Sequence, residues 1–218
     1  MKRVEQQHFE TKKTARVYHL KPSGEPKAIC FAIHGYRQLP EYFIRKFGAL
    51  ADAGIEVIAP EGLSRFYIEG YNGRVGASWM TKEDRETDIA DYLFYLNALL
   101  KKVRQNHPDL PIHLLGFSQG GATASRWFSS TDFSWKSFTL YASVFPNDFD
   151  FEAQADRFSS IPCFLLFGDK DQFADEITIM TKTEWLQAKG VFPELIRFTG
   201  GHDIYPDTLK FLANKMLM

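Results

Sequence analysis

Cysteine is scarce in this chain, with only Cys30 and Cys163 among 218 residues, and their spacing makes no metal site. Each lies in an apolar, strand-like run, so both are expected to be buried thiols, which suits a reducing compartment and points to the cytoplasm. No His-x-His or His-Glu-x-x-His pattern occurs, so neither a catalytic metal nor a cofactor is expected. An excess of charge of one sign is also missing. Lys and Arg number 26 against 27 Asp and Glu, a formal net charge of −1, which gives no reason to expect nucleic acid or an anionic membrane surface as a partner. No apolar run reaches membrane-spanning length, and Met1-Lys2-Arg3 leads into Val4-Glu5-Gln6-Gln7 rather than the apolar segment of a secretion signal. Integral membrane association is therefore not expected. Repeats, low-complexity tracts and interdomain linkers are absent too, and residues 1–218 are expected to form one domain with little left over for a lid.

What the chain does have is 20 phenylalanines and a succession of apolar runs separated by helical patterns. Residues 4–10 and 14–20 are predicted to form a short edge hairpin. Residues 28–33 carry no alternation, as expected of a strand buried on both faces, and end in His34-Gly35-Tyr36. A helix is predicted over about 41–53 and a strand over 55–60, then a long stretch without clear period over 61–82. Ile89, Leu93, Leu96 and Leu100 step by four, three and four along one helical face. Strands follow at 111–115, around 138–142, at 161–167 and at 192–198. Helices are predicted over about 175–189 and from about 206. Strands alternating with helices, the central strands uniformly apolar, predict a doubly wound parallel α/β sheet.

The organising stretch is Leu114-Leu115-Gly116-Phe117-Ser118-Gln119-Gly120-Gly121-Ala122. An apolar strand runs into Gly-x-Ser-x-Gly and then into a helix start rich in small residues. A serine at the apex of such a turn presents its hydroxyl, while its neighbours at minus two and plus two must lack bulk because strand end and helix start nearly touch. The helix N-terminus behind it offers free N–H groups to a developing oxyanion.

Three further strand ends carry candidate groups: His34-Gly35-Tyr36, Gly168-Asp169-Lys170-Asp171 and Gly201-His202. Ligands in open α/β sheets gather at such ends. Ser118, Asp171 and His202 fall in the chain order of the α/β-hydrolases. Asp169 is expected to serve its own turn, and Asp203 to be unable to reach back to its neighbour's ring. His34 is expected to have a structural role in its loop.

Together these residues and motifs resemble the phospholipase/carboxylesterase family of α/β-hydrolases, small lidless serine hydrolases that include acyl-protein thioesterases. The likeness covers about residues 28–212 and is most specific at Gly116-Phe117-Ser118-Gln119-Gly120-Gly121. It implies a capless α/β-hydrolase fold, a Ser118, Asp171, His202 triad, and oxyanion N–H groups on Tyr36 and Gln119. Ser78-Trp79 looks like the family's Trp-containing segment. Two departures touch the cleft walls: Arg37-Gln38 stands where the family usually has a second glycine, and Gln172-Phe173-Ala174 follows the acid in place of Val-Pro.

The resulting expectation is a serine esterase or thioesterase for small to medium acyl groups, acting on a small-molecule substrate in an open cleft. A non-catalytic binding protein of the same fold is the alternative. Tyr71, Trp79 and Phe173, with Tyr36, are candidates for apolar cleft walls, although Tyr71 and Trp79 would equally serve to pin a long loop. Arg37, Arg65 and Arg74 lie in the same stretches and are candidates for meeting an anionic substrate, with orientations that sequence does not give.

Overall fold

Side chains that alternate along a strand go to opposite faces of its sheet, so a run buried on both faces must be apolar throughout. The computed structural model, which describes residues 3–146, 148–150, 152–173 and 176–218, shows this division directly. The strands are β1 (Val17–Leu20), β2 (Ala28–Ile33), β3 (Ile55–Pro60), β4 (Ser64–Tyr67), β5 (Val75–Ser78), β6 (Ile112–Phe117), β7 (Ser137–Tyr141), β8 (Cys163–Gly168) and β9 (Glu194–Phe198). On β2, Ile29, Phe31 and Ile33 join one hydrophobic cluster while Ala28, Cys30 and Ala32 join another. Ile112 and Leu114 of β6 follow the first set, and Leu115 and Phe117 the second.

Helices cover both faces: α1 (Pro40–Phe43), α2 (Gly48–Asp52), α3 (Arg85–Asn106), α4 (Gln119–Ser129), α5 (Ala155–Ser159), α6 (Glu176–Ala188) and α7 (Pro206–Met216). The first cluster takes Leu96 and Leu100 of α3, Trp127 and Phe128 of α4, Phe158 of α5 and Leu186 of α6. The second takes Phe43 of α1, Leu50 of α2 and Leu209 and Leu212 of α7. Cys30 and Cys163 are free, and burial raises both thiols to about 12, so neither is reactive at neutral pH.

The main sheet has the order β1-β3-β2-β6-β7-β8-β9, parallel except for β1. From β2 the chain steps outward to β3, then returns across β2 to β6 and proceeds the other way. The loops after β2 and β6 therefore diverge, which opens the crevice where α/β sheets bind ligands. No segment among the described residues forms a cap over it, and the architecture is that of an α/β-hydrolase.

Three local expectations need correction. Residues 4–10 form no strand: Val4 and Phe9 are 94% and 88% exposed, and β1 instead pairs antiparallel with β3 from Val17↔Pro60 to Leu20↔Val57. The polar residues between those two apolar ones leave no face to bury. The helix expected over 41–53 is broken by a 3₁₀ turn at Ile44–Phe47, before Gly48, which lets Phe43, Ile44, Phe47 and Leu50 all reach the core. The aperiodic 61–82 stretch contains a hairpin, β4 paired with β5 from Ser64↔Ser78 to Tyr67↔Val75. Its alternation is hidden because β5, Val-Gly-Ala-Ser, is built of small residues that must pass under the His-Gly loop. A Cβ on Gly76 would lie 2.6 Å from the carbonyl oxygen of Arg37. Asp175, expected near the start of α6, lies outside the described residues, and the short α5 was not expected from sequence.

Candidate active site

Between the end of β6 at Phe117 and the start of α4 at Gln119 stands a single residue, Ser118, with φ 53° and ψ −124°. A side chain held in this sparsely populated region costs about 1–3 kcal/mol, sustained by the surrounding packing. The turn is tight: a Cβ on Gly116 would lie 2.5 Å from the carbonyl oxygen of Gly120, and one on Gly120 would lie 2.6 Å from that of His34. Both positions are thereby confined to glycine. Tyr141 O accepts the Ser118 N–H at 3.1 Å, and the Ser143 hydroxyl donates to Ser118 O at 2.8 Å, fixing the strained residue from the neighbouring strand. Because α4 presses against the end of β2, the His34-Gly35-Tyr36 loop crosses beside the serine. A Cβ on Gly35 would lie 3.1 Å from that of Ser118.

Ser118 Oγ is 2.9 Å from His202 Nε2, and His202 Nδ1 is 2.8 Å from Asp171 Oδ2. A carboxylate only accepts, so Nδ1 carries the proton and Nε2 is left with its lone pair towards the serine hydroxyl. Asp171 has a fully buried side chain, and its other oxygen accepts the Phe173 N–H at 2.8 Å. The imidazole, 20% exposed, lies between the rings of Phe117 and Phe173, with centroids 5.0 and 4.9 Å away. Neither neighbouring acid competes. Asp169 accepts the Gly200 N–H at 2.9 Å, so it ties the two loops together rather than serving its own turn as expected. Asp203 pairs with Lys46 and accepts the Ile204 N–H.

Two backbone N–H groups belong to residues that flank the serine, Gln119 directly after it and Tyr36 after Gly35. Gln119, the first residue of α4, has no carbonyl one turn back to bond, and the Tyr36 N–H finds no acceptor among the described residues. The Gln119 side chain points away, its Nε2 donating to Met80 O at 3.1 Å and its Oε1 accepting the Trp79 N–H at 3.3 Å. Such an arrangement can pass a serine proton to imidazole and meet a developing oxyanion with two donors.

His34 stands under the loop as a structural bridge. Its Nδ1–H donates to Gly35 O at 2.8 Å, its Nε2 accepts the Gly62 N–H at 2.9 Å, and burial lowers its pKa to about 4. It is therefore neutral at ordinary pH. No group of three or more His, Cys, Asp or Glu side chains suited to a metal ion occurs among the described residues.

The four aromatic candidates separate. Phe173, 73% exposed, lies beside His202 at the cleft. Tyr36 is 52% exposed, its ring stacked on Phe66 at 5.3 Å. Trp79, a candidate either for the cleft wall or for pinning its loop, does the second and is buried: its indole N–H donates to His34 O at 2.9 Å and its ring packs on the His34 imidazole. Tyr71 is 97% exposed in the β4–β5 loop and pins nothing. Sequence reasoning also missed Gln38, whose Oε1 accepts the Gly35 N–H at 2.8 Å, and Ser143. A polar side chain three residues after the glycine of a turn was the only signal for Gln38; Ser143 had none.

The fold is shared widely. An esterase, PE8, superposes with a TM-score of 0.67 at 21% identity over 94% of this chain and 98% of that one. Acyl-protein thioesterase 2 of Zea mays gives 0.71 at 20% identity over 93% and 99%. A thermostable carboxyl esterase from Bacillus coagulans, solved with glycerol, gives 0.66 at 14% identity over 94% of each chain. No curated protein matches the sequence. The family model described as Serine hydrolase (FSH1) matches residues 24–214, and the chain belongs to that serine hydrolase family.

Proposed function

We propose that this hydrolase cleaves carboxylic esters or thioesters of small to medium acyl groups, with Ser118 as nucleophile, His202 as base and acid, and Asp171 as the residue that orients His202. In the first step the Ser118 proton passes to His202 Nε2 as Oγ bonds to the carbonyl carbon. The Tyr36 and Gln119 N–H groups stabilise the oxyanion that results. The imidazolium then protonates the departing alcohol or thiol, leaving an acyl-serine. Water, deprotonated by His202, releases the acid and restores the serine. The observation that carries this reading is the unbroken line from Ser118 Oγ through His202 to Asp171, with 2.9 and 2.8 Å links. The absence of a cap among the described residues supports an open cleft with Phe173 in its wall. Unpaired, buried Cys30 and Cys163 support the cytoplasm as the place of work.

A fluorophosphonate probe tests the assignment. It should add covalently to Ser118, and Ser118→Ala should lose both the label and hydrolysis of a chromogenic butyrate ester. Label retained in Ser118→Ala would overturn the assignment. A protein that only binds its ligand would not turn the ester over.

A further inference from the structure

Beside the elbow lies an open groove of about 980 Å³ between the His-Gly loop, α1 and the β4–β5 hairpin. Its ionisable lining is one-sided: Arg16, Arg37, Lys46, Arg65 and Arg74 border it, and no Asp or Glu among the described residues does. A chain with 26 basic and 27 acidic residues would place the two signs about equally, so the imbalance is local. Part of this charge is already neutralised. Glu61, buried behind the wall, holds Arg16 and, at 3.7 Å, Arg65, and Lys46 pairs with Asp203. Arg74 meets Glu69 at 3.3 Å, a pair whose side chains are 78% and 72% exposed and which is screened by water. The Arg37 side chain has no ion-pair partner among the described residues, yet its backbone is fixed, with φ 68° and its N–H bonded to Ala77 O at 3.0 Å. The five cations of the lining thus meet three paired acids, and Glu41, whose charge also reaches Arg16, is paired with Arg45, so an excess of two positive charges remains.

The groove is also joined to the reacting centre. Arg37 follows Tyr36, and Gln38, another lining residue, holds the Gly35 N–H beside Ser118. At the other end, the partner of Lys46 is Asp203, next to His202. Between the cations lie Tyr42, Phe43, Phe66 and Tyr67, an aromatic surface for an apolar stem.

We infer that the groove receives an anionic group, carboxylate or phosphate, borne by the ester or thioester substrate away from the bond that is cleaved. This rests on the hydrolase reading above and narrows its substrate class. Selectivity between charged and uncharged isosteres, as a ratio of kcat/KM, is the test. One arm compares the p-nitrophenyl monoester of a dicarboxylic acid with the same compound methylated at its free carboxylate. The other compares an acyl-coenzyme A thioester with the uncharged acyl-N-acetylcysteamine thioester. The ratio should exceed one in the arm whose charge reaches the groove, and added salt should lower it. Arg37→Gln and Arg74→Gln should each reduce it by roughly two- to fivefold, and the double variant by about tenfold. Because each variant is scored as a ratio, a general loss of activity cancels. Lys102→Gln, on the exposed face of α3 outside the groove, controls for net charge and should leave the ratio where it was. Ratios of one or less in both arms, or ratios that the arginine changes leave unmoved, would overturn the inference while Ser118-dependent hydrolysis of the neutral substrates kept the hydrolase reading intact. Failure to hydrolyse any of the four substrates would overturn the reading on which it rests.

Discussion

Lowering the pH from 7 to 5 should destabilise this fold through two histidines that it buries uncharged. His34 and His113 are both fully inaccessible to solvent, and burial lowers the pKa of each from 6.5 to about 4. At His34 the Gly35 carbonyl and the Glu61 charge pull the other way without overcoming that cost. At His113, the second residue of β6, Lys136 adds to it, and Nε2 has no hydrogen-bond partner among the described residues while Nδ1 meets Ser137 Oγ at 2.7 Å. The unfolded chain takes up these protons near pH 6.5, whereas the folded chain refuses them until about pH 4. Stability from this source is therefore complete above 6.5, falls as the pH drops towards 4 and levels off below that. The full loss is on the order of 3 kcal/mol per histidine, of which about 2 has gone by pH 5. For the pair that is about 4 kcal/mol, a large share of a typical total of about 5–15. Urea unfolding at constant m-value between pH 8 and 5 would measure it, above the range where most carboxylates titrate. Near pH 5 the slope should approach about 2.7 kcal/mol per pH unit, two protons, and His113→Gln should halve it. Stability that stays level from pH 7 to 5 would refute the reasoning. The imidazole proton resonances of His34 supply a second check in the native protein, since they should not titrate above pH 5.

Asp171→Asn should lower turnover by about ten-thousandfold, because the imidazole is then free to take the wrong tautomer. Asp169→Asn should be mild, and the opposite ranking in steady-state kinetics would exchange the two roles. Gly120→Ala should cost several kcal/mol, roughly the 3 or more expected of backbone clash in a packed interior, since its Cβ would lie 2.6 Å from His34 O; an unchanged melting temperature would contradict the packing described. Trp79→Phe should lose about 1–3 kcal/mol of stability by leaving His34 O unpaired, with KM for short esters unaltered. A raised KM at unchanged stability would return Trp79 to the cleft wall.

The frame of the molecule was legible because its strands are buried twice. β2, β6, β7 and β8 are buried on both faces and, apart from His113, Ser137 and Thr139, are built of apolar residues and glycine, which leaves a run no polar loop can imitate. The residues at their ends were legible for a related reason: glycines at 116 and 120 mark a close approach, and the serine between them has few structural excuses. What failed were segments whose order comes from elsewhere. Residues 4–10 carry apolar residues at intervals that suggest a strand, but the outer edge of β1 stays open, because with Val4 and Phe9 exposed and polar residues between them the segment has no face to bury there. The β4–β5 hairpin was hidden because its second strand is selected for smallness against the Arg37 backbone, which erases the alternation a strand usually shows. Trp79 was left between two roles, cleft wall and loop support, because composition distinguishes neither side of a loop. A tryptophan near an active site packs against substrate or against the loop's own support, and only the bond from its indole to His34 O decides.

The walls of the cleft are therefore where this chain departs from what its motifs imply, and Arg37 shows how. It occupies a left-handed backbone conformation, φ 68°, at a place where a glycine would be free of strain. Gly76 gives way beneath it, since any Cβ there would meet Arg37 Cα at 2.7 Å, and the Ala77 carbonyl holds its N–H. The strain is thus sustained by contacts from β5, and what it secures is a guanidinium beside the His34-Gly35-Tyr36 loop with no acid paired to it among the described residues. Replacing Arg37 with glycine would relieve the backbone, stabilising the loop, while removing the charge. If the arginine served only to shape the loop, that substitution would be harmless to catalysis on every substrate. If it serves recognition, stability and selectivity for an anionic ester should move in opposite directions, a signature that neither a packing role nor a general weakening of the site can produce.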